Sequence, residues 1–218
     1  MNVLIVLAHP DSKSFNAALR DFAADTLTYA GHQVRTSDLY GMKFDPVAHP
    51  AQFPSRADPV HFRLQREQRH AVETGTLSTE VSAEIEKLFW AELVIFQFPL
   101  WWGAMPAILK GWLDRVFVSG VVYGSGVEGL SGRKALLSVT ASPCDAYAEC
   151  AERIKAELHP VISNALRLPN LEVLEPIFFF VPATATVIER ETAFRRYALR
   201  LSEICGGDVH AQDMRTML

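Results

Sequence analysis

The sequence predicts a doubly wound α/β domain, in which helices cover both faces of a parallel β-sheet. Continuous apolar runs such as VLIVLA (3–8) have the length and composition of strands that are buried on both faces. Segments with apolar residues at helical spacing separate those runs, and this alternation specifies a parallel sheet with right-handed crossovers. The length of 218 residues suits one such domain.

The first half of the chain contains three predicted strands. The run 3–8 precedes a helix whose apolar positions are Phe15, Ala18, Leu19, Phe22 and Leu27, and Gly31 occupies the position expected just after that helix. VRTSDLY (34–40) is more polar, as is typical of an edge strand. Periodicity is lost between residues 41 and 76, which contain four prolines, so a long loop is expected there.

A capped helix and a third strand follow. Ser78 or Thr79 can cap a helix with the apolar positions Val81, Ile85, Leu88 and Phe89. LVIFQF (93–98) then has the composition of a buried strand.

The second half continues the alternation. Pro106 suits the first turn of a helix that contains Ile108, Leu109, Trp112, Val116 and Phe117. ALLSVTA (135–141) is the fourth predicted strand, and a helix kinked at Pro160 is expected over residues 145–167. VLEPIFFF (173–180) is predicted as the last strand and 189–204 as the last helix.

Five strands favour the flavodoxin-like order 2-1-3-4-5 over a six-stranded dinucleotide-binding fold. We expect a single domain over residues 1–204 and a loosely ordered C-terminal tail over 205–218. Ligands in such sheets bind beyond the carboxyl ends of the strands, at the point where the strand order reverses. The ends of strands one, three and four are therefore the candidate site.

Strand one ends in AHPDSKSFNAAL (8–19), which lacks the GxGxxG pattern of dinucleotide-binding folds. Its His9, Ser12, Ser14 and Asn16 lie just before a helix, where N–H groups and the helix dipole favour a phosphate or pyrophosphate. An equally good interpretation is that Ser14 only caps the helix and His9 is a hydrogen-bonded loop residue.

Strand three ends in LVIFQFPLWWGAMPAILKGW (93–112), where Trp101 and Trp102 lie between Pro99 and Gly103. Tryptophans in this setting often belong to a core or a subunit interface. At a strand end that binds ligands, however, they suit a planar heterocycle such as a flavin isoalloxazine ring. Two prolines interrupt this run and charged residues bound it, so it is not a membrane span.

Strand four ends in TASPCDAY (140–147). Thr140 and Ser142 can hydrogen bond the edge of a ring, and Tyr147 lies near the next helix. Alternatively, Ser142 or Asp145 only caps that helix.

The composition argues against several other functions. A net charge of −4 gives no basic face for nucleic acid. Three cysteines without CxxC spacing suggest neither a disulfide framework nor a zinc site, and the seven histidines form no metal-binding pair. The opening apolar run is too short for a signal peptide, so a cytoplasmic protein is expected.

These motifs resemble the NAD(P)H:quinone oxidoreductases of the DT-diaphorase type. VLIVLAHPDSKSFNAAL (3–19) is similar to that family's first strand and phosphate loop, and LVIFQFPLWWGAMPAILKGWLDRVF (93–117) is close to its most distinctive segment. LSTEVSAEIEKL (77–88) and LEVLEPIFFF (171–180) also match. The resemblance covers most of residues 1–204.

The resemblance implies a homodimer with two active sites at the subunit interface, each holding FAD or, alternatively, FMN. The residues implied to bind it are His9, Ser14, Phe15 and Asn16 near the pyrophosphate, Pro99, Leu100, Trp101, Trp102 and Gly103 along the isoalloxazine, Thr140, Ala141 and Ser142 at its pyrimidine edge, and Arg190 near the adenylate. Of the two tryptophans, Trp102 is expected to stack on the ring and Trp101 to pack. Arg63 would reach the partner's cofactor from the segment 41–76, a dimer arm.

The resemblance also implies ping-pong hydride transfer, in which NAD(P)H reduces the flavin and leaves before a quinone takes its place. Tyr147, Arg153 and Trp102 are the implied catalytic residues. Three departures from the family occur here: TASP (140–143) replaces its TTGG, the loop after Tyr123 is shorter, and Arg153 stands where it has a histidine. The first and the third would be tolerable in an alternative function, a flavin-binding ancillary subunit of a potassium-efflux system. A one-electron flavodoxin carrier fits less well, because such carriers are strongly acidic.

Overall fold

The computed structural model describes residues 1–144, 146–181 and 185–206. This part of the chain contains six β-strands and six α-helices. They are β1 (Asn2–Leu7), α1 (Phe15–Tyr29), β2 (Gln33–Asp38), α2 (Leu64–Glu73), α3 (Thr79–Trp90), β3 (Leu93–Pro99), α4 (Ala107–Val116), β4 (Lys134–Thr140), α5 (Tyr147–Pro160), β5 (Glu172–Val173), β6 (Ile177–Phe179) and α6 (Val187–Cys205).

The strands form one parallel sheet in the order β2-β1-β3-β4-β5, and β6 also pairs with β4. The predicted strand order is confirmed. The prediction of one last strand over 173–180 is wrong, because the segment is divided into β5 and β6 around Pro176. Proline cannot donate a hydrogen bond to the ladder, which explains why pairing is interrupted there.

Helices cover both faces of the sheet, as predicted. On one face, α3, α4 and α5 pack through residues such as Leu88, Trp112 and Ile154. On the other face, α1 and α6 pack through residues such as Phe22 and Tyr197. The central strands are buried on both sides, which explains why their sequences are continuous apolar runs.

Local sequence features set the ends of the helices. The Ser14 side chain caps α1, and Gly31 adopts a φ of +84° just after it. Ser78, one of the two predicted candidates, caps α3. The predicted start of the fifth helix at Asp145 lies outside the described residues. Beyond Pro160 that helix continues as a π-helical segment, Val161–Leu166.

The segment 41–76 is more structured than expected. It contains a 3-10 turn (Pro50–Gln52) and α2. Hydrophobic periodicity does not predict α2, because this helix buries only Glu67, Gln68 and Ala71 and has no apolar stripe. The segment packs closely on α4, where a Cβ atom at Gly111 would collide with Pro46.

Buried Glu67 organises this segment. Its carboxylate accepts hydrogen bonds from the N–H groups of Ala57 (2.8 Å) and Asp58 (3.3 Å) and pairs with Arg56 (3.2 Å). Burial acts to raise the pKa of Glu67, but these partners outweigh it and hold the pKa below its ordinary value.

No helix within the described ranges is both long and apolar enough to span a membrane. Most of the predicted C-terminal tail, residues 207–218, lies outside them.

Candidate functional site

The carboxyl ends of β1, β3 and β4 open into a cleft of about 520 Å³. Its lining comes from four regions of the chain: His9, Asp11, Lys13, Ser14, Phe15 and Asn16; Pro99, Leu100 and Trp101; Thr140, Ala141 and Ser142; and Val181 and Arg190. Eleven of these residues are ones that the resemblance assigned to a cofactor. The cleft lies at the reversal of strand order, where doubly wound sheets bind ligands.

One end of the cleft suits an anion. The amino terminus of α1 lies there, and the first N–H groups of a helix have no intrahelical partners. Lys13 and Arg190 add positive charge to the lining, and the Arg190 guanidinium lies 5.6 Å from the centre of the Phe15 ring. His9 Nδ1 accepts a hydrogen bond from the Asp11 N–H (3.0 Å), so a neutral imidazole carries its proton on Nε2 and can donate it.

The floor of the cleft is a hydrogen-bonded network of polar side chains. Asn16 Nδ2 donates to Thr140 Oγ1 (2.8 Å), and Gln97 Nε2 donates to Asn16 Oδ1 (2.9 Å). Ser138 Oγ donates to Gln97 Oε1 (2.6 Å). The network joins the ends of β3, β4 and α1, and it therefore holds the three parts of the floor in register.

The two tryptophans lie in a tight hairpin. Trp101 and Ala104 exchange backbone hydrogen bonds of 2.9 and 3.0 Å, and the two residues between them, Trp102 and Gly103, have φ values of +52° and +70°. Two central residues with positive φ are typical of a type I′ turn. The Trp101 ring borders the cleft, 6.1 Å from the His9 ring, whereas the Trp102 side chain is fully exposed and is not part of the lining. The structure thus places Trp101, rather than Trp102, in the wall of the cleft.

A disulfide closes the loop that follows β4. Cys144 is bonded to Cys150 on the first turn of α5, with their Cα atoms 6.6 Å apart. The cysteine number and spacing suggest no disulfide framework, and this bond corrects that expectation. No recognised spacing links these two cysteines, so the bond could not be predicted from their positions. Cys205 is the free cysteine of the described residues, and burial raises its pKa.

Several predicted residues lie outside the cleft lining. The Tyr147 ring packs 5.2 Å from the Phe180 ring and beneath the Arg196 guanidinium, on a separate hollow between α5, β6 and α6. Arg153 is largely exposed and lies 3.9 Å from Glu157. The structure does not bring these side chains to the cleft of the same chain.

Arg63 and Gly103 also lie outside it. Arg63 precedes α2 and borders another hollow, together with residues such as Arg69. The Gly103 backbone passes close to α5, where a Cβ atom would lie 3.4 Å from Glu157 Oε2.

Four residues of the site were missed. Asp11 and Lys13 lie in the quoted loop 8–19, where the Asp11 carboxylate accepts from the Lys13 N–H (2.8 Å); the D-x-K spacing of this turn was a usable signal. Val181 follows β6, a strand end that the sequence did not show. Gln97 was visible as the one polar residue of LVIFQF, and a buried amide there requires partners.

Comparison with known proteins places this geometry in a family. A family model described as the flavodoxin-like fold matches residues 1–204. Human ribosyldihydronicotinamide dehydrogenase (quinone) is 36% identical over 212 residues, which cover 93% of this chain and 91% of the relative. Rat NAD(P)H dehydrogenase (quinone) 1 is 38% identical over 181 residues, 79% of this chain and 66% of the relative. The crystal structure of a candidate quinone reductase from Klebsiella pneumoniae has a TM-score of 0.87 and 34% identity, and the match covers 95% of this chain and 86% of that one. The chain therefore belongs to the flavodoxin-like family, in the group to which these quinone dehydrogenases belong.

Proposed function

We propose that this protein is a flavin-dependent oxidoreductase that transfers a hydride from NAD(P)H to a quinone. The observation that carries the proposal is the cleft, which combines an anion-binding end, a floor of hydroxyl and amide groups and an aromatic wall at the ends of β1, β3 and β4. Relatives with 36–38% identity are named as quinone dehydrogenases.

The residues of the cleft fit a flavin nucleotide. The amino terminus of α1 with Ser14, Lys13 and Arg190 would hold its phosphate groups, and Arg190 favours FAD over FMN. Leu100 and Trp101 would lie along the ring, and Thr140 and Ser142 would hydrogen bond its polar edge. When bound, a flavin accepts a hydride from one substrate and gives it to another.

The chain itself supplies position and charge control. Hydroxyl and N–H donors at a fixed floor stabilise negative charge that develops on a bound ring, because they need no reorganisation when it appears. In the proposed ping-pong reaction the nicotinamide would bind beside the ring, leave after the transfer and be replaced by the quinone. The sequence predicts Tyr147 and Arg153 as catalytic residues, but both lie outside this cleft lining, so no step in the reaction is assigned to them.

We also propose a homodimer in which each chain completes the site of the other. Arg63 borders a hollow away from its own cleft, as a residue that reaches a partner's cofactor would. The segment 41–76, which carries Arg63, would be the arm that reaches the second chain.

The experiment that tests the function identifies the cofactor and then measures turnover. Protein purified without added flavin should release FAD on denaturation, identified by mass, and should oxidise NADH, NADPH or ribosyldihydronicotinamide in the presence of menadione. The double variant Ser14→Ala, Arg190→Ala should lose flavin. Arg195→Ala should retain it and is the matched control, because Arg195 lies on α6 with Arg190 but outside the cleft lining.

Two results would contradict this proposal in different ways. Protein that takes up neither FAD nor FMN would exclude flavin chemistry. Flavin-loaded protein without turnover for any of the three donors would favour the ancillary-subunit alternative. Sedimentation analysis tests the dimer independently.

A further inference from the structure

Gln97 is a polar residue inside a strand that is otherwise apolar. All seven residues of β3 are buried, and Gln97 is completely so. A primary amide in such a place is costly unless its donor and acceptor groups are paired. Both groups are paired, and the partners lead from the interior to the cleft.

The hydrogen bonds of Gln97 form a relay with a defined direction. The Ser138 hydroxyl donates to Gln97 Oε1, and Gln97 Nε2 donates to Asn16 Oδ1. The other end of the Asn16 amide then presents Nδ2, which donates to Thr140 Oγ1. The side-chain amides of Gln97 and Asn16 each accept a hydrogen bond at the oxygen and donate one from the nitrogen. The orientation of the Gln97 amide therefore fixes the orientation of the Asn16 amide.

Tyr197 lies beside the inner end of this relay. Its hydroxyl is fully buried, makes no regular hydrogen bond within the described ranges, and has the Ser138 hydroxyl as its polar neighbour. Burial raises the pKa of Tyr197, which therefore keeps its proton. The Ser138 proton is directed at Gln97 Oε1, so Ser138 is the inner end of the relay.

We propose that Gln97 is a positioning residue that makes the Thr140 hydroxyl a hydrogen-bond donor toward a flavin bound in the cleft. A hydroxyl group has one proton, and the Asn16 amide already donates to the Thr140 oxygen. The Thr140 proton is therefore directed away from Asn16, and Thr140 lines the cleft. The inference rests on the proposed function, because it concerns the flavin that this function requires.

The consequence is a preference for reduced over oxidised flavin. Reduction places negative charge near the polar edge of the ring, and a preorganised donor favours the charged state. Without Gln97 the Asn16 amide can turn over, and the Thr140 hydroxyl can donate to Asn16 instead. We expect Gln97→Met to weaken the binding of reduced FAD relative to oxidised FAD about tenfold. For a two-electron couple this change lowers the midpoint potential by about 30 mV.

The test measures the dissociation constants of oxidised and reduced FAD, together with the midpoint potential by dye equilibration. Thr140→Val should cause a similar shift, and Thr140→Ser should retain the wild-type ratio of the two constants. Gln97→Met in the Thr140→Val background should cause no further shift. Gln68→Met is the matched control, because Gln68 is a buried glutamine outside the relay that bonds the Asp114 carbonyl. Ser138→Ala, which removes the donor to Gln97, replaces Gln97→Met if that variant does not fold.

The possible failures are distinguishable. Wild-type protein that does not bind FAD would contradict the proposed function itself. Protein that binds FAD normally but shows an unchanged ratio in Gln97→Met would overturn the inference. Additive shifts in the double variant would also overturn it, because a merely structural Gln97 would act independently of Thr140.

Discussion

Replacement of Trp102 by glycine should stabilise the protein while it impairs turnover. Trp102 has a φ of +52°, a left-handed conformation that costs a residue with a Cβ atom about 1–2 kcal/mol. Glycine adopts it freely but loses more chain entropy on folding, about 0.5–1 kcal/mol. Because the Trp102 side chain is fully exposed, its removal sacrifices little burial.

The midpoints of these two ranges give a net gain of about 0.7 kcal/mol in the free energy of unfolding. For a domain of this size, this corresponds to a rise of about 1–4 °C in Tm. Turnover with a quinone should fall in the same variant, because the sequence predicts that the Trp102 indole stacks on the substrate ring. Strain that is retained at a functional site shows this opposition between stability and activity.

The assay is calorimetry of the flavin-free protein, and Trp101→Gly is the matched control. Trp101 does not have a positive φ and is only 41% exposed, so its replacement relieves no strain and removes packing. The control should therefore lower Tm. A clear fall in Tm for Trp102→Gly would refute the reasoning, since it would show that the Trp102 side chain is packed against another group in solution.

Three other predictions concern residues outside the cleft lining. Tyr147→Phe and Arg153→Ala should each leave the stopped-flow rate of flavin reduction within about twofold of wild type, because neither side chain lines the cleft. A tenfold loss in either variant would assign that residue the catalytic role expected from the sequence. Glu67 stabilises the folded protein fully above its ordinary pKa of 4.5, and this stabilisation is lost as the pH falls through its lower pKa in the folded state. Glu67→Gln should therefore reduce the loss of the free energy of unfolding with falling pH, measured by urea unfolding at acid pH. The same loss in wild type and variant would contradict this. Cys144→Ser should lower the free energy of unfolding by about 2 kcal/mol, as expected for the loss of a disulfide that closes a short loop. Wild-type protein in a reductant should lose the same amount. Equal stability of the oxidised wild type and the variant would show that no disulfide forms.

The fold and the position of the cleft followed from the sequence because both depend on simple patterns. Continuous apolar runs that alternate with helical segments are typical of strands buried on both faces of a parallel sheet with helices on each side. Once β1, β3 and β4 are adjacent, their carboxyl ends meet at one edge whatever the details of the loops. The segments 8–19 and 140–143 therefore had to converge.

Side-chain direction could not be obtained in the same way. Trp101 and Trp102 are adjacent and chemically identical, and a type I′ turn alone decides which of them faces the cleft. Tyr147 is the first residue of α5. Successive side chains in a helix point about 100° apart around its axis, so the direction of the Tyr147 side chain depends on the residue at which the helix begins. Sequence patterns locate such boundaries only to within a few residues.

Polar residues inside apolar strands are the better guide to the chemistry of a site. A strand that is buried on both faces has no position from which a side chain can reach water, so the amide of Gln97 has to find its partners on neighbouring elements. Those partners, Asn16 and Ser138, lie toward the same edge of the sheet, and Asn16 in turn reaches Thr140 in the cleft. Because a buried glutamine must have hydrogen-bond partners, its chain of partners leads to the Thr140 hydroxyl, the group that the proposed flavin would contact.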